Sequence, residues 1–247
     1  MTRSLQRALL MLFFFGFSCA FCIAQNPLYI GLAFGPKGDV YNYYDAAGLL
    51  STDPIYNGPN VQLKAEYQLS HRFQVGSGLI FNSYGERYKI ADATDFQVGT
   101  FDAFFGIELP VRLQMRLAPW KNRNSPFHLG ITAGYHVLYI IDRQEVRTSR
   151  RGFVGNAPGI IINTISTSEN GPYHPLVEGG LFFNYQFHPN WILGFSGGRV
   201  SGFRNIISSH ILYSIDAGAS FADAFARTKG DYLFLHVEIK FVIGGKQ

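Results

Sequence analysis

Val61-Gln62-Leu63-Lys64-Ala65-Glu66-Tyr67-Gln68-Leu69 decides the fold. Every second residue is apolar, and the residues between are Gln, Lys, Glu and Gln. Side chains of a strand point alternately to opposite faces, so this stretch is a strand with two unlike faces. Ile107 to Leu117 repeats the pattern, with Ile107, Leu109, Val111, Leu113, Met115 and Leu117 against Glu108, Pro110, Arg112, Gln114 and Arg116.

The same alternation recurs along the chain. It runs over Leu28–Phe34, Phe73–Phe81, Phe127–Tyr139, Val177–Phe187, Trp191–Gly198 and Leu233–Phe241, with Ser77, Ile80 and Leu138 out of step. That makes eight strands. Their connections alternate in length. Ser70-His71-Arg72 and His188-Pro189-Asn190 are short, and 118–126 is moderate. The segments 36–59, 85–99, 142–173 and 202–229 are long and read as loops. Short periplasmic turns at one end and long external loops at the other are the plan of an eight-stranded antiparallel up-and-down transmembrane β-barrel. A soluble β-sandwich also alternates, but its polar face would carry many Lys and Glu. Here that face is rich in Gly, Gln, Asn, Ser and Thr, which suits a narrow interior. Tyr84, Tyr88, Trp120, Phe127, Tyr139, Phe187, Trp191 and Phe241 fall near strand ends, where aromatic side chains favour a membrane interface.

Composition agrees. Of 247 residues, 47% are hydrophobic and 15% charged, too apolar for disorder and poorer in charge than an average soluble domain. Residues 1–24 read as a secretory signal peptide. Arg3 and Arg7 precede an apolar run at 8–15, and the small residues Ser18, Ala20 and Ala24 place cleavage after Ala24. The run is shorter than a membrane-spanning helix, and Cys19 and Cys22 lack a lipoprotein signal's upstream pattern. The barrel domain is then 25–247. It has no cysteine, because both lie in the leader. Disulfides and thiolate chemistry are excluded from it.

The net charge is +4, and the leader's two arginines supply half of it. No basic cluster interleaved with aromatics points to nucleic acid. Arg147, Arg150 and Arg151 read as part of a solvated loop. The inward charges are Lys64, Arg112, Arg116 and Lys240 against Glu66, Glu108, Glu178 and Glu238. An eight-stranded barrel has an interior that side chains just fill, and buried charges must pair. These eight residues are therefore expected to form a structural lumen network, with Glu66 and Glu108 bridging Arg112, Arg116 or Lys64. Pro110 inside a strand calls for a bulge.

Phe105-Gly106-Ile107-Glu108-Leu109-Pro110-Val111-Arg112-Leu113 resembles the Leu-Glu-Ile-Pro-type strand of the small outer-membrane β-barrel family of Bacteroidota, the PorT-like "outer membrane protein beta-barrel" domain. Phe127–Tyr139 is similar to that family's next strand. Gly179–Phe183, Trp191–Gly194 and Gly198–Val200 are similar to its following hairpin. Gly106 stands where the family commonly has a bulkier residue. The resemblance implies an outer-membrane barrel without enzymatic activity, linked to protein secretion and envelope assembly. Its partners would be outer-membrane lipid and other envelope or secretion proteins.

Two other readings have residues of their own. Ser209 and His210, with Asp216, could serve acyl transfer on lipid A or phospholipid if they met in space. A small-solute channel would use the lumen itself. No cofactor or metal motif is present: His128 and His136 share a face but lie about 27 Å apart at strand rise, and the other histidines are scattered.

Overall fold

The computed structural model describes residues 26–48, 50–52, 58–85, 87–90, 97–99, 104–118, 125–141, 145–154, 157–214 and 220–244. The leader, Trp120 and Asp216 lie outside them. Eight strands close into an antiparallel barrel: β1 (Leu28–Asp39), β4 (Gly58–Gln68), β5 (Phe73–Tyr84), β8 (Phe104–Ala118), β9 (Phe127–Ile140), β12 (Tyr173–His188), β13 (Trp191–Gly202) and β16 (Tyr232–Ile243). They are the eight strands expected from alternation, each extended at one end or both, though β4 stops one residue before Leu69. Each pairs with its nearest barrel neighbour in sequence, and β16 closes on β1, with Leu28 opposite Ile243.

The barrel is inside out relative to a soluble protein. Ile30, Leu32, Leu63, Leu109, Val111, Leu181, Leu235 and Ile239 are exposed on its outer face. Gln62, Lys64, Glu66, Glu108, Arg112, Glu178, Glu238 and Lys240 are buried within. Rings gather near the short turns: Phe127 lies 4.6 Å from Tyr185 and 5.9 Å from Phe183, and Trp191 packs edge-on against Phe241 at 5.1 Å. At the opposite end Tyr139 meets Tyr173 at 5.3 Å. Tyr84 does not join them. It is fully buried in the lumen.

Pro110 needs no bulge. The β5–β8 register is the same on both sides of it, with Ser77 opposite Val111 and Ile80 opposite Glu108. The Ser77 hydroxyl donates to the Pro110 carbonyl at 2.8 Å.

The four long segments are not plain loops. They hold β2 (Asn42–Asp45), β3 (Leu50–Thr52), β6 (Arg87–Ile90), β7 (Gln97–Gly99), β10 (Val146–Val154), β11 (Ala157–Ser168), β14 (Ile207–Ser214) and β15 (Ala222–Thr228). Arg147, Arg150 and Arg151 thus lie on a strand. One sheet runs β10-β11-β14-β15-β2, and another β3-β6-β7. Both keep the neighbour order of the barrel. Each of these strands prolongs the barrel strand next to it in sequence, as β2 prolongs β1 and β15 leads into β16. Beyond the barrel the wall therefore divides into a five-stranded and a three-stranded leaf.

Candidate functional site: the filled lumen and the outer sheet

Long ionic side chains reach across the lumen because their neighbours are small. Lys64 has Gly31 and Gly78 beside it on the flanking strands, Arg112 has Gly76 and Gly134, and Glu238 has Ala33 and Gly194. Nearest the short turns, Lys64 bridges Glu238 at 2.5 Å and Lys240 bridges Glu66 at 2.7 Å and Glu238 at 3.1 Å. Gln114 donates to Glu66 at 3.1 Å, and the Ser196 hydroxyl donates to Glu238.

The next tier centres on His136. Its Nδ1 lies 2.7 Å from Glu108 and its Nε2 lies 2.6 Å from Glu178. Arg112 Nε donates to the same Glu178 oxygen at 2.7 Å. Glu108 also accepts from Tyr84 at 2.8 Å, from Tyr232 at 3.0 Å and from Asn82. An ionised carboxylate can only accept, so a ring flanked by two such groups satisfies both when it carries a proton on each nitrogen. That settles a count. The buried charged side chains of the described residues are Lys37, Lys64, Arg112 and Lys240 against Asp39, Glu66, Glu108, Glu178 and Glu238. A positive His136 makes the two sides equal, as burial demands.

The hairpin end of the lumen is apolar. Tyr84, Phe104, Leu138, Ile140, Leu176, Val200, Ile206, Ile207, Tyr232 and Phe234 form one buried cluster. Lys37 sits against it, 2.7 Å from Asp39 and 3.7 Å from the centre of the Tyr84 ring. Gly106 faces into this cluster. A Cβ there would stand 2.5 Å from Leu138 Cδ1, so Leu138 fills the space a larger residue would take.

Seven of the eight inward charges expected from sequence are buried and ion-paired, but with other partners than expected. Glu66 pairs with Lys240, and Glu108 with His136. Neither meets Arg112, Arg116 or Lys64. Arg116 is only half-buried at the turn end, and among the described residues it makes no ion pair. Strand parity gives the face of a residue, whereas its partner depends on the register between that strand and its neighbours: Glu108 and His136 stand on adjoining strands, and Glu66 and Lys240 on either side of β1. His136, Lys37 and Asp39 were missed for different reasons. His136 carried no sign of its two carboxylate partners, and Lys37 and Asp39 fall in a segment read as loop.

Ser209 and His210 do not form a dyad. They are consecutive on β14 and point to opposite faces. Ser209 is buried and its hydroxyl donates to Ser166 Oγ at 2.8 Å. His210 faces outward, with Nε2 2.6 Å from Asp223 and its ring stacked on Phe225 at 4.7 Å. Behind β14, Ile162, Ile211, Tyr213, Ala224 and Ala226 make a second buried cluster.

No family model and no curated protein matches the chain. Among solved structures it is similar to the outer membrane protein OprG from Pseudomonas aeruginosa, at 11% identity over 90% of this chain and 98% of that one, with a TM-score of 0.47. A major outer membrane protein from Thermus thermophilus follows at 10% identity, over 88% and 99%, with a TM-score of 0.43. The outer membrane protease OmpT from Escherichia coli gives 10% identity, over 89% and 97%, with a TM-score of 0.42. At these values the likeness assigns no activity.

Proposed function

We propose that the chain is a non-enzymatic outer-membrane barrel that spans the lipid with its lumen shut and serves as an anchor or scaffold for envelope or secretion proteins. The observation that carries this reading is the filled lumen. Paired ions occupy its turn-side half and an apolar plug its hairpin-side half, so the interior is spent on holding the wall together. The outward Leu, Ile, Val and Phe side chains support a lipid environment. From Leu233 to Phe241 the exposed face of β16 covers eight steps, about 26 Å along the strand and roughly 20 Å along the barrel axis at the usual tilt. That is close to the apolar band of outer-membrane barrels. The scaffold role itself is supported by the resemblance to the PorT-like family and by the strand-built hairpins, which extend the wall beyond the barrel.

Planar-bilayer recording of the refolded protein tests the shut lumen. The expected result is insertion without steady conductance. A steady open current overturns the reading in favour of the small-solute channel, and a protein that stays dissolved without detergent overturns the membrane placement. Cross-linking in intact cells then tests the scaffold: a captured envelope protein should be lost when β10–β11 is replaced by a short turn.

A further inference from the structure

At the hairpin-side edge of the wall Phe34, Phe105, Tyr139 and Tyr173 are exposed. One sector differs. Arg199 is exposed on the outer face of β13, opposite Leu233 of β16. Arg227 is exposed on the outer face of β15, opposite Ser208. Arg204 and Lys229 are exposed in the two connections between barrel and leaf. Those connections are held side by side where Ile206 N donates to the Thr228 carbonyl at 2.8 Å.

None of the four cations has an ion-pair partner among the described residues. Of the nearby acids among the described residues, Asp223 pairs with His210 at 2.6 Å, Asp231 accepts from Gly202 N at 2.7 Å, and Glu169, whose backbone N donates to the Ile206 carbonyl at 2.8 Å, bridges none of the four. Four exposed like charges along this sector, from Arg199 at the level of Leu233 up to Arg227 at the level of Ser208, give it a positive potential that favours an anion. From the level of Arg199 toward the short turns the wall is apolar, with Leu233, Leu235 and Phe195 exposed. Phe203 is exposed beside them. A greasy strip capped by guanidinium and ammonium groups matches a molecule with acyl chains below and phosphates above, and guanidinium binds phosphate in a two-pronged fashion.

We propose that Arg199, Arg204, Arg227 and Lys229 bind the phosphates of an outer-leaflet glycolipid whose acyl chains lie on Leu233, Leu235 and Phe195. The inference rests on the membrane-spanning reading above. It differs from the acyl-transfer alternative, because the lipid is held and not altered.

The test is lipid retention by the detergent-solubilised full chain in native mass spectrometry. The probes are bisphosphorylated lipid A and the same lipid A with both phosphates removed. The expected result is about tenfold greater retention of the phosphorylated form. Combining Arg199→Gln, Arg204→Gln, Arg227→Gln and Lys229→Gln should abolish that preference, and Arg147→Gln on the far edge of the leaf should not. Equal retention of the two lipids by the unaltered protein overturns the proposal without any variant, so misfolding of the fourfold variant cannot protect it. Millimolar inorganic phosphate that displaces the lipid completely would identify a free-anion site and also overturn it. A protein that needs detergent yet shows no preference ends this inference alone. One that is soluble without detergent ends the membrane reading with it.

Discussion

The barrel and the five-stranded leaf above it are built from the same path of chain, yet they are held by different physics. In the barrel the two faces of every strand meet unlike surroundings, so residue types alternate strictly and the ionic side chains have a dry interior in which to pair. In the leaf both faces are mixed. The inner face of β14 carries Ile207, Ser209, Ile211 and Tyr213, and the outer face carries Ser208, His210 and Leu212. Electrostatics should therefore dominate stability in the lumen. In the leaf, small apolar packing and single hydrogen bonds should do so.

The sharpest way to break this contrast is in the central tier. Arg112→Met removes the cation between Glu178 and the lumen wall and leaves a buried carboxylate short of a partner, an error that costs about 3–5 kcal/mol. Removing both ends in Arg112→Met/Glu178→Met should restore much of that loss, since His136 keeps Glu108 at 2.7 Å. Urea titration of the protein refolded into vesicles measures both. A double variant no more stable than the single one would show that the pair acts separately and not as one unit.

Space around the same tier gives the next effect. A Cβ on Gly134 would stand 3.2 Å from Arg112 Cγ, 3.3 Å from Glu178 Cβ and 3.3 Å from His136 Nε2. All three belong to groups already held by ion pairs. Gly134→Ala is expected to cost about 1–3 kcal/mol, the range for overpacking, by the same titration. A neutral result would mean that the network can shift as a body.

The contrast also explains what could be read in advance. The eight barrel strands were legible because lipid-like and lumen faces impose period two, and Val61–Leu69 states it without exception. The residues out of step carried information of another kind. Ile80 and Leu138 break alternation because both turn inward, Leu138 into the apolar plug at the hairpin end. The leaf strands were not legible. Ile161-Ile162 puts apolar side chains on both faces of β11, and Arg150-Arg151 stand at consecutive positions in the sequence of β10, so neither segment shows period two. Burial of Lys64, Glu66, Glu108, Arg112, Glu178, Glu238 and Lys240 could be read from parity. Their partners could not, because Arg112 and Glu178 meet across Gly134 of the strand between them, and Lys64 and Glu238 across β1, so each pair depends on a register between strands that alternation within one strand does not fix.

Within the leaf the part-buried contact of one hydroxyl should set the scale. Tyr213 is almost fully buried, and its hydroxyl donates to both Asp45 oxygens at 2.8 and 2.9 Å, tying β14 to β2 across β15. Tyr213→Phe is expected to cost about 1.5 kcal/mol, as for a bond to a charged group. The loss should appear as faster hydrogen exchange in β2 and β14 with an unchanged barrel transition. A matching drop in the barrel's urea midpoint would instead make leaf and barrel one cooperative unit.

The smallest effect belongs to the outward pair. His210 and Asp223 stand 2.6 Å apart, but their side chains are 38% and 59% exposed, so water and salt screen the attraction. His210→Ala removes that pair and the stacking on Phe225, and should change stability by less than about 1 kcal/mol. High salt should erase the Coulomb part of the difference, whereas the Arg112 loss in the dry lumen should persist at the same salt. Equal salt sensitivity at the two places would mean that water reaches the lumen pairs. That would undo the distinction between the two regions, and with it the shut interior on which the scaffold reading depends.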